Sequence, residues 1–309
     1  MKTALLFSGQ GAQTVGMGKD LAAAHPAAAD LFRKADEILG YSLSGYAFEG
    51  PAEELTRTCV CQPALYVHGL ATLAMILENV PDLACDAAAG LSLGEFTAYA
   101  AAGSFDFETG LRLVDQRARF MQEACDASRG GMAAIIGGEE QAVMSLASAA
   151  DVDVANYNSP GQIVISGEQS KVALAVGMAK EYGARKAVEL TVAGAFHSRL
   201  MEPAYESLKT VLTKTPVQMP KIPVISNVDA RPAESPDAIR TSLADQVTGS
   251  VLWTSSIEYM LDHLGINRFI EIGPGGIIAG LVGRIRRGTQ VISISDVASL
   301  EAALPLLRT

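Results

Sequence analysis

The sequence predicts an α/β protein in which a small α+β subdomain interrupts a larger domain. Its 309 residues exceed the usual size of a single domain and can bury a sizeable core. Residues 87–102 are typical of a short apolar strand, a glycine-flanked turn and a helix. Residues 128–193 are typical of the strand–helix–strand–strand–helix–strand order called ferredoxin-like. We therefore expect a larger domain formed by residues 1–127 and 194–309, with the subdomain at 128–193 inserted into it.

The composition excludes several classes of protein. Hydrophobic residues make up 49% of the chain and charged residues 19%, which indicates an ordered globular protein. The net charge of −10 argues against a general nucleic-acid binder, and an acidic partner would have to meet a local basic patch. The four cysteines lack metal-ligand spacing, so we expect free thiols, no metal site and a cytoplasmic location. The apolar run at the N-terminus is too short for a signal peptide, and no later one reaches membrane length.

The first strand is predicted at Thr3–Phe7, an apolar run that ends at the loop Ser8-Gly9-Gln10-Gly11. This loop matches neither the G-x-G-x-x-G dinucleotide fingerprint nor a Walker loop. A ligand-facing loop at the end of a strand and an ordinary turn both fit it. Helices are predicted at Leu21–Leu39 and from Gln62-Pro63 to Leu77, and the second is apolar enough to be buried.

A candidate nucleophile stands at Ser92, in the pattern Gly90-Leu91-Ser92-Leu93-Gly94. This G-x-S-x-G pattern is typical of a nucleophile elbow, in which flanking glycines permit a sharp strand-to-helix turn. The N–H of Leu93 would then lie at a helix N-terminus, where an oxyanion can be held. A small-residue turn without chemistry is the alternative.

Arg117 is the most informative basic residue, on a helix predicted at Glu108–Ala124. The residues three and four positions away from Arg117 are apolar, whereas those around Arg112 and Arg119 are polar. Arg112 and Arg119 are therefore expected on the surface in salt bridges. A buried guanidinium needs an anion, which is either an internal carboxylate or part of a substrate.

The remaining elements return the chain to the larger domain. The subdomain strands are predicted at 132–136, 152–156, 162–166 and 185–192, with Asn158–Gly161 as a turn, and its helices at 138–149 and up to Tyr182. Beyond residue 194 the predicted helices are 199–214, 236–246, 253–264 and 276–287, and the strands 224–227 and 269–273. His197 lies between a strand and a helix, so it is the best placed of the four histidines to act as a general base. His68 is expected to be a core residue, and His25 and His263 lie near helix ends.

Two further features are candidates for anion binding. The Gly-Pro-Gly-Gly turn within Ile272–Ile277 precedes a helix, although a plain tight turn explains it as well. Arg284, Arg286 and Arg287 form a dense basic cluster that could meet an acidic partner.

A set of motifs in chain order resembles the malonyl-CoA:acyl-carrier-protein transacylases of type II fatty-acid synthesis. These motifs are Gly9-Gln10-Gly11, Gln62-Pro63-Ala64, Gly90–Glu95, Arg117, Asn158–Gln162, Gly194–His197 and Gly273-Pro274-Gly275. The resemblance covers essentially the whole chain. It implies an α/β-hydrolase-like catalytic domain interrupted by a ferredoxin-like subdomain.

The resemblance implies a role for each matching residue. Ser92 would carry the malonyl group as an ester and His197 would be its acid and base. The backbone N–H groups of Gln10 and Leu93 would form the oxyanion hole, and Arg117 would bind the malonyl carboxylate.

The imidazole would be oriented by the backbone carbonyl at Gln246, with Asp245 as the weaker candidate. Gln62 and Phe196 would line the pocket, and Phe196 belongs to the version of the motif associated with malonyl selection. The chain departs from the family at Leu91, where histidine is usual, and at Ser8, where proline is common. It also has Gly249-Ser250 where the family has Asn-Pro.

The implied activity is malonyl transfer from malonyl-CoA to acyl carrier protein by a ping-pong mechanism. It requires no cofactor, and the acidic carrier would dock near Arg284, Arg286 and Arg287. The alternatives are a discrete acyltransferase of polyketide synthesis, a serine esterase and a non-catalytic carrier-docking module. Arg117 argues against an esterase, because a neutral acyl group gains nothing from a buried arginine.

Overall fold

The structure is a computed structural model that describes residues 1–308; Thr309, the last residue of the predicted larger domain, lies outside them. It contains a four-stranded parallel sheet in the order β2-β1-β7-β8 and a separate four-stranded antiparallel sheet in the order β4-β5-β3-β6. The strands are β1 (Thr3–Phe7), β2 (Ala87–Gly90), β3 (Gly130–Ile136), β4 (Asp153–Ser159), β5 (Gln162–Glu168), β6 (Lys186–Glu189), β7 (Arg268–Ile272) and β8 (Gln290–Ile294). The predicted α/β class is confirmed.

The helices cover both sheets. They are α1 (Lys19–Ala24), α2 (Pro26–Leu39), α3 (Leu43–Glu49), α4 (Ala52–Thr56), α5 (Thr58–Asn79), α6 (Leu93–Ala101), α7 (Phe107–Ala127), α8 (Glu140–Ala150), α9 (Gln169–Met178), α10 (Glu202–Lys214), α11 (Pro236–Asp245), α12 (Trp253–Asp262), α13 (Ile277–Ile285) and α14 (Val297–Leu307).

The parallel sheet brings three loops to one edge. Phe7, the last residue of β1, pairs with Gly90 of β2 on one side and with Ile272 of β7 on the other. The loops that follow these strands therefore begin side by side, at the carboxyl edge where parallel sheets bind ligands. All five residues of β1 are buried, because helices cover both faces of the sheet.

Two glycines allow the turn after β2 to lie against β1. A Cβ on Gly90 would come within 2.1 Å of the Gly94 backbone, and one on Gly94 would come within 2.2 Å of Phe7 O. Any larger residue would separate the helix start from the strand. The sequence pattern around Ser92 is thus a packing requirement as well as a turn signal.

The antiparallel sheet contacts the segment before α12 through its edge strand β4. Val251 N donates to Ala155 O at 2.8 Å, and Tyr157 N donates to Val251 O at 2.9 Å. Arg199, just after His197, pairs with Asp153 at 2.7 Å. One wall of the candidate site is therefore held by main-chain bonds and an ion pair.

Helix α5 is a long, largely buried helix that begins four residues before the predicted start at Gln62. By length and composition it could cross a membrane, but 83% of its apolar window is buried inside the protein. Pro63 lies inside the helix and cannot donate to the carbonyl of Cys59, which instead accepts a long 3.5 Å hydrogen bond from Tyr41 Oη. The helix therefore continues through the proline.

Several other boundaries differ from the sequence prediction. The strand predicted at 224–227 is replaced by two isolated bridges, Val224 with Ala88 and Ile225 with Pro232, because the chain turns back where Ser226 N donates to Arg231 O. The helix predicted at 199–214 begins as a 3₁₀ turn, and α10 starts only at Glu202. Strand β4 runs through Ser159, which leaves a shorter turn than predicted.

Candidate active site

Ser92 lies at the turn between β2 and α6 in a strained backbone conformation. Its φ of 52° and ψ of −102° place a non-glycine residue in the left-handed half of φ/ψ space. The Asn227 side chain spans this turn: Oδ1 accepts from Ser92 N at 2.7 Å, and Nδ2 donates to Gly90 O at 2.8 Å. These two hydrogen bonds stabilise the turn that presents the hydroxyl.

His197 contacts the hydroxyl of Ser92 directly. Its Nε2 lies 2.9 Å from Ser92 Oγ, and its Nδ1 lies 2.7 Å from the backbone oxygen of Gln246. A carbonyl can only accept, so Nδ1 carries the proton and Nε2 is free to accept from Ser92. Burial, reinforced by the charge of Arg117, lowers the pKa of His197 to about 4, so the imidazole is neutral at pH 7.

Arg117 reaches the same hydroxyl from α7 and is 1% exposed. Nη2 donates to Ser92 Oγ at 2.9 Å and to Gln246 Oε1 at 2.7 Å, while Nη1 donates to Gln62 Oε1 at 2.6 Å. Among residues 1–308 it forms no ion pair with a carboxylate, and its Nε has no hydrogen-bond partner. Burial lowers the pKa of Arg117 to about 10, which leaves it cationic at pH 7.

Arg112 and Arg119, in contrast, are exposed on the same helix. Arg112 pairs with Glu108 at 2.8 Å and Arg119 with Asp115 at 2.9 Å, as the sequence pattern predicts. Arg117 is therefore the cation on this helix without a direct carboxylate partner, since amide and hydroxyl oxygens are neutral. Its charge is available to an anion that enters the site.

The N–H groups of Gln10 and Leu93 lie at the two loops that flank Ser92. Leu93 is the first residue of α6, so its N–H is one of the free donors of a helix N-terminus. The neighbouring donors are already used: Ser92 N bonds Asn227, and Gly94 N bonds Leu91 O at 2.9 Å. In the described part of the chain, no acceptor is found for the N–H of either Gln10 or Leu93.

Comparison with known proteins identifies the family. A family model described as an acyl transferase domain matches residues 4–285. The chain belongs to the acyl transferase family. It is 43% identical over 312 residues to the malonyl CoA-acyl carrier protein transacylase of Bacillus subtilis, covering 99% of this chain and 98% of that one.

Solved structures of the family share the fold. The acyl-carrier-protein S-malonyltransferase of Bartonella henselae is 38% identical, with a TM-score of 0.94 and 100% of both chains covered. A malonyl-transacylase solved in complex with a type II PKS acyl-carrier protein is also 38% identical, with a TM-score of 0.93, over 99% of this chain and 100% of that one. The parallel sheet and the separate antiparallel sheet are therefore the family's architecture.

The acyl transferase site opens into a cavity of about 560 Å³. The predicted residues Gln10, Gln62, Ser92, Phe196 and His197 line it, whereas Leu93, Arg117 and Gln246 are buried behind its wall. Other lining residues come from the antiparallel sheet and from the rim, and they include Met132, Asn156, Asn158, Gln162, Leu190, Arg57, Ile277 and Arg284. A long acyl thioester can thus reach Ser92 between the two sheets.

The basic cluster predicted at Arg284, Arg286 and Arg287 is divided in the structure. All three side chains are exposed, but Arg286 pairs with Asp262 at 2.9 Å. Arg284 lines the cavity rim. The three cations are therefore not equivalent, because one of them is already paired with a neighbouring carboxylate.

The other histidines and the cysteines are not among the residues that line the cavity. His68 is buried in α5 with Nε2 3.0 Å from Ser295 O, as expected of a core residue. His25 contacts Glu78, and His263 caps the end of α12. All four cysteines are free. Across residues 1–308, no group of three or more His, Cys, Asp or Glu side chains could hold a metal ion.

Sequence reasoning missed two residues of the site. Asn227 supports the turn at Ser92, and Glu95 accepts hydrogen bonds from both Asn227 N and Gln246 Nε2. The sequence predicts Asn227 only as the last residue of a strand. A polar side chain at the carboxyl end of a strand is the signal that could have placed it at the site. Glu95 follows the G-x-S-x-G pattern directly, at a position where a carboxylate is ordinarily expected to face solvent. The pattern gives no sign that this side chain is buried.

Proposed function

We propose that this chain transfers a malonyl group from malonyl-CoA to the phosphopantetheine thiol of acyl carrier protein, in fatty-acid biosynthesis. The observation that carries the proposal is that Ser92 Oγ lies 2.9 Å from both His197 Nε2 and Arg117 Nη2. A nucleophile, a neutral base and an unpaired guanidinium thus meet at one atom. That combination suits an acyl group that carries its own carboxylate.

In the first half-reaction, Ser92 attacks the thioester carbonyl of malonyl-CoA. His197 Nε2 accepts the hydroxyl proton as the C–O bond forms, and the C–S bond then breaks. The developing oxyanion is held by the N–H groups of Gln10 and Leu93, each worth about 3–4 kcal/mol. His197 returns its proton to the leaving CoA sulfur, which leaves a malonyl ester on Ser92.

In the second half-reaction, the thiol of the carrier's phosphopantetheine attacks the ester. His197 accepts the thiol proton and then donates it to Ser92 Oγ as the ester C–O bond breaks. The hydrogen bond from His197 Nδ1 to Gln246 O keeps the ring in the same tautomer throughout. Both thiols use the same cavity, so CoA must leave before the carrier's thiol can enter. The mechanism is therefore ping-pong.

Arg117 binds the free carboxylate of the malonyl group. A guanidinium offers parallel N–H donors that match a carboxylate, and burial strengthens the attraction. In the substrate-free site those donors are met by Gln62, Ser92 and Gln246, so the carboxylate replaces neutral acceptors by an anion. The proposed reaction needs no cofactor, since every proton and electron pair is supplied by Ser92, His197 and the substrates.

The proposal includes the finer architecture. Residues 1–127 and 194–309 form an α/β-hydrolase-like catalytic domain, supported by the strand–elbow–helix around Ser92. Residues 128–193 form a ferredoxin-like subdomain, supported by the element order β3-α8-β4-β5-α9-β6 and the antiparallel pairing. A cytoplasmic location is part of the same proposal and is supported by the four free thiols.

A second candidate concerns the carrier and not the chemistry. The similarity to a transacylase in complex with a type II PKS acyl-carrier protein favours malonyl supply to a polyketide carrier as the alternative. The two are distinguished by comparing kcat/KM for the host's fatty-acid and polyketide carriers at one malonyl-CoA concentration.

The test of the activity is the mass of the intact protein. Incubation with malonyl-CoA should add one malonyl group, and Ser92→Ala should stay unmodified. Acetyl-CoA and methylmalonyl-CoA form the comparison panel. An unchanged mass of the parent protein under these conditions would contradict the transferase assignment, and rapid loss of the ester to water would favour an esterase.

A further inference from the structure

Glu95 is a buried carboxyl group close to Arg117 that does not pair with it. It lies in the first turn of α6 and is 0% exposed. The side-chain amide of Gln246 separates the two: its Oε1 accepts from Arg117 Nη2 at 2.7 Å, and its Nε2 donates to Glu95 at 2.6 Å. The guanidinium is thus coupled to Glu95 through a neutral amide.

The two oxygens of Glu95 are in different environments. Oε2 accepts from Gln246 Nε2 at 2.6 Å and from Asn227 N at 3.0 Å. Oε1 is buried and has no hydrogen-bond partner of either kind among residues 1–308. An unpartnered buried oxygen costs a carboxylate anion far more than a carboxylic acid, which can carry its proton on Oε1 and accept both hydrogen bonds at Oε2. The geometry therefore fits the neutral acid.

The charged and titratable groups around Glu95 are few. Arg117 faces it from α7, Asp229 from the turn after Val224, and Tyr99 from the next turn of α6. His197 is connected only through the backbone of Gln246. Burial raises the pKa of Glu95 to about 8, against the opposing effects of its hydrogen bonds and of Arg117.

We propose that Glu95 is kept as a neutral acid so that the substrate's carboxylate is the sole counter-ion of Arg117. This role rests on the proposed function, in which Arg117 binds the malonyl carboxylate. Glu95 is a positioning residue, since it acts on Arg117 through the Gln246 amide. If Glu95 loses its proton, a second anion enters the buried site. It then competes electrostatically with the malonyl group for the guanidinium.

The consequence is a pH dependence specific to acyl groups with a carboxylate. As pH rises past the pKa of Glu95, the malonyl-CoA concentration that gives half-maximal malonyl-enzyme formation should increase. With the pKa at about 8, that increase is about tenfold between pH 7 and pH 9. Acetyl-CoA should show no comparable increase, because an acetyl group has no carboxylate for Arg117 to bind.

The test follows formation of the acyl-enzyme by rapid-quench mass spectrometry, without a carrier protein. Glu95→Gln retains an oxygen that accepts from Gln246 and Asn227 but cannot ionise, so it should abolish the increase above pH 8. Glu123→Gln, an exposed position on α7, is the matched control and should behave as the parent. A flat malonyl profile in the parent, or an increase that persists in Glu95→Gln, would overturn the proposal.

Two measurements distinguish a failure of the Glu95 proposal from a failure of the proposed transferase activity. Malonylation of Ser92 at pH 7 tests the transferase, and it can succeed while the pH dependence fails. The malonyl-to-acetyl comparison in the parent needs no variant, so it stands even where Glu95→Gln is poorly folded. Thermal unfolding of folded Glu95→Gln should show a gain over the parent that is larger at pH 9 than at pH 6. Up to about pH 8 the folded parent keeps a Glu95 proton that the unfolded chain has already lost, so the parent loses stability as pH rises.

Discussion

The backbone oxygen of Gln246 accepts from His197 Nδ1 at 2.7 Å, so the residue that caps the C-terminus of α11 sets the tautomer of His197. The same residue uses its side-chain oxygen to accept from Arg117 at 2.7 Å and its Nε2 to donate to Ser92 O at 2.9 Å. One glutamine therefore fixes the relative positions of Ser92, His197 and Arg117. A backbone carbonyl also orients the imidazole without adding a negative charge beside Arg117.

Replacing the base should slow acylation strongly. His197→Ala is expected to lower the rate of malonyl-Ser92 formation about 1,000-fold, since positioned general bases contribute roughly 10²–10⁴. The rate is measured by rapid-quench mass spectrometry. His263→Ala, at the exposed end of α12, is the control and should leave the rate unchanged. A loss of less than tenfold in His197→Ala would show that another group takes the proton.

The pH dependence of acylation should have its acid limb near pH 4 and not near pH 6.5. Burial and Arg117 lower the pKa of His197 to about 4, so the ring stays neutral and competent as pH falls through 6. The rate of acetyl-Ser92 formation is the suitable readout, because acetyl-CoA avoids the carboxylate. A rate that halves near pH 6.5 would mean that His197 titrates as a solvent-exposed histidine.

Removing the guanidinium should affect malonyl transfer far more than acetyl transfer. Arg117→Ala is expected to reduce kcat/KM for malonyl-CoA about 100-fold, since a charge-assisted hydrogen bond contributes about 1.5–3 kcal/mol. Acetyl transfer should fall much less, through the lost contact with Ser92 Oγ alone. Arg112→Ala, on the exposed face of α7, is the matched control. Equal losses for the two substrates would remove Arg117 from carboxylate recognition.

The sequence predicts the burial of Arg117 but not its relation to Glu95. Helical spacing alone distinguishes Arg117 from its exposed neighbours, because an apolar face predicts burial. The same spacing does not show whether the anion that binds Arg117 is an internal carboxylate or part of a substrate. The structure narrows that choice: the nearest carboxyl, Glu95, is separated from Arg117 by an amide. Local spacing does not encode such a contact, because Gln246 lies 129 residues from Arg117 along the chain.

The elements predicted from the sequence fail where tertiary contacts override local pattern. Strand β1 is observed with its predicted bounds, since a short apolar run ending at glycine is unambiguous. The apolar run at 224–227 instead leaves the sheet after one bridge. There the backbone N–H of Asn227 bonds to Glu95, and its side chain bonds to the turn at Ser92. The polar groups of Asn227 thus bond to residues of the site and not to a neighbouring strand.

Loss of the Asn227 side chain should lower kcat without raising the KM for malonyl-CoA. Asn227→Ala removes both hydrogen bonds that hold the strained turn, so the Ser92 hydroxyl is presented less often in the reactive position. We expect kcat to fall about tenfold and stability by about 1–3 kcal/mol. Asn227→Asp keeps an acceptor for Ser92 N but places an oxygen against Gly90 O and adds a buried charge, so it should lose at least as much kcat as Asn227→Ala. An increase in KM alone would contradict this role.

Carrier recognition should depend unequally on the three arginines near the cavity. Arg284 lines the rim and Arg287 is exposed, whereas Arg286 is already paired with Asp262 at 2.9 Å. Reversing Arg284 and Arg287 to Glu should raise the KM for an acidic carrier about fivefold to tenfold at low salt. The KM for malonyl-CoA should change less.

The variant Arg286→Glu shows whether the carrier KM depends on the overall charge of the protein or on particular arginines at the cavity rim. It changes the net charge as much as Arg284→Glu does, yet it removes a guanidinium that is engaged by Asp262 and is not free to contact a carrier carboxylate. If docking is local, Arg286→Glu should raise the carrier KM by less than twofold, and the difference between the variants should shrink at high salt. Arg112→Glu, on α7, serves as the remote control. Equal increases for all of these variants would mean that overall charge, and not this rim, governs carrier binding.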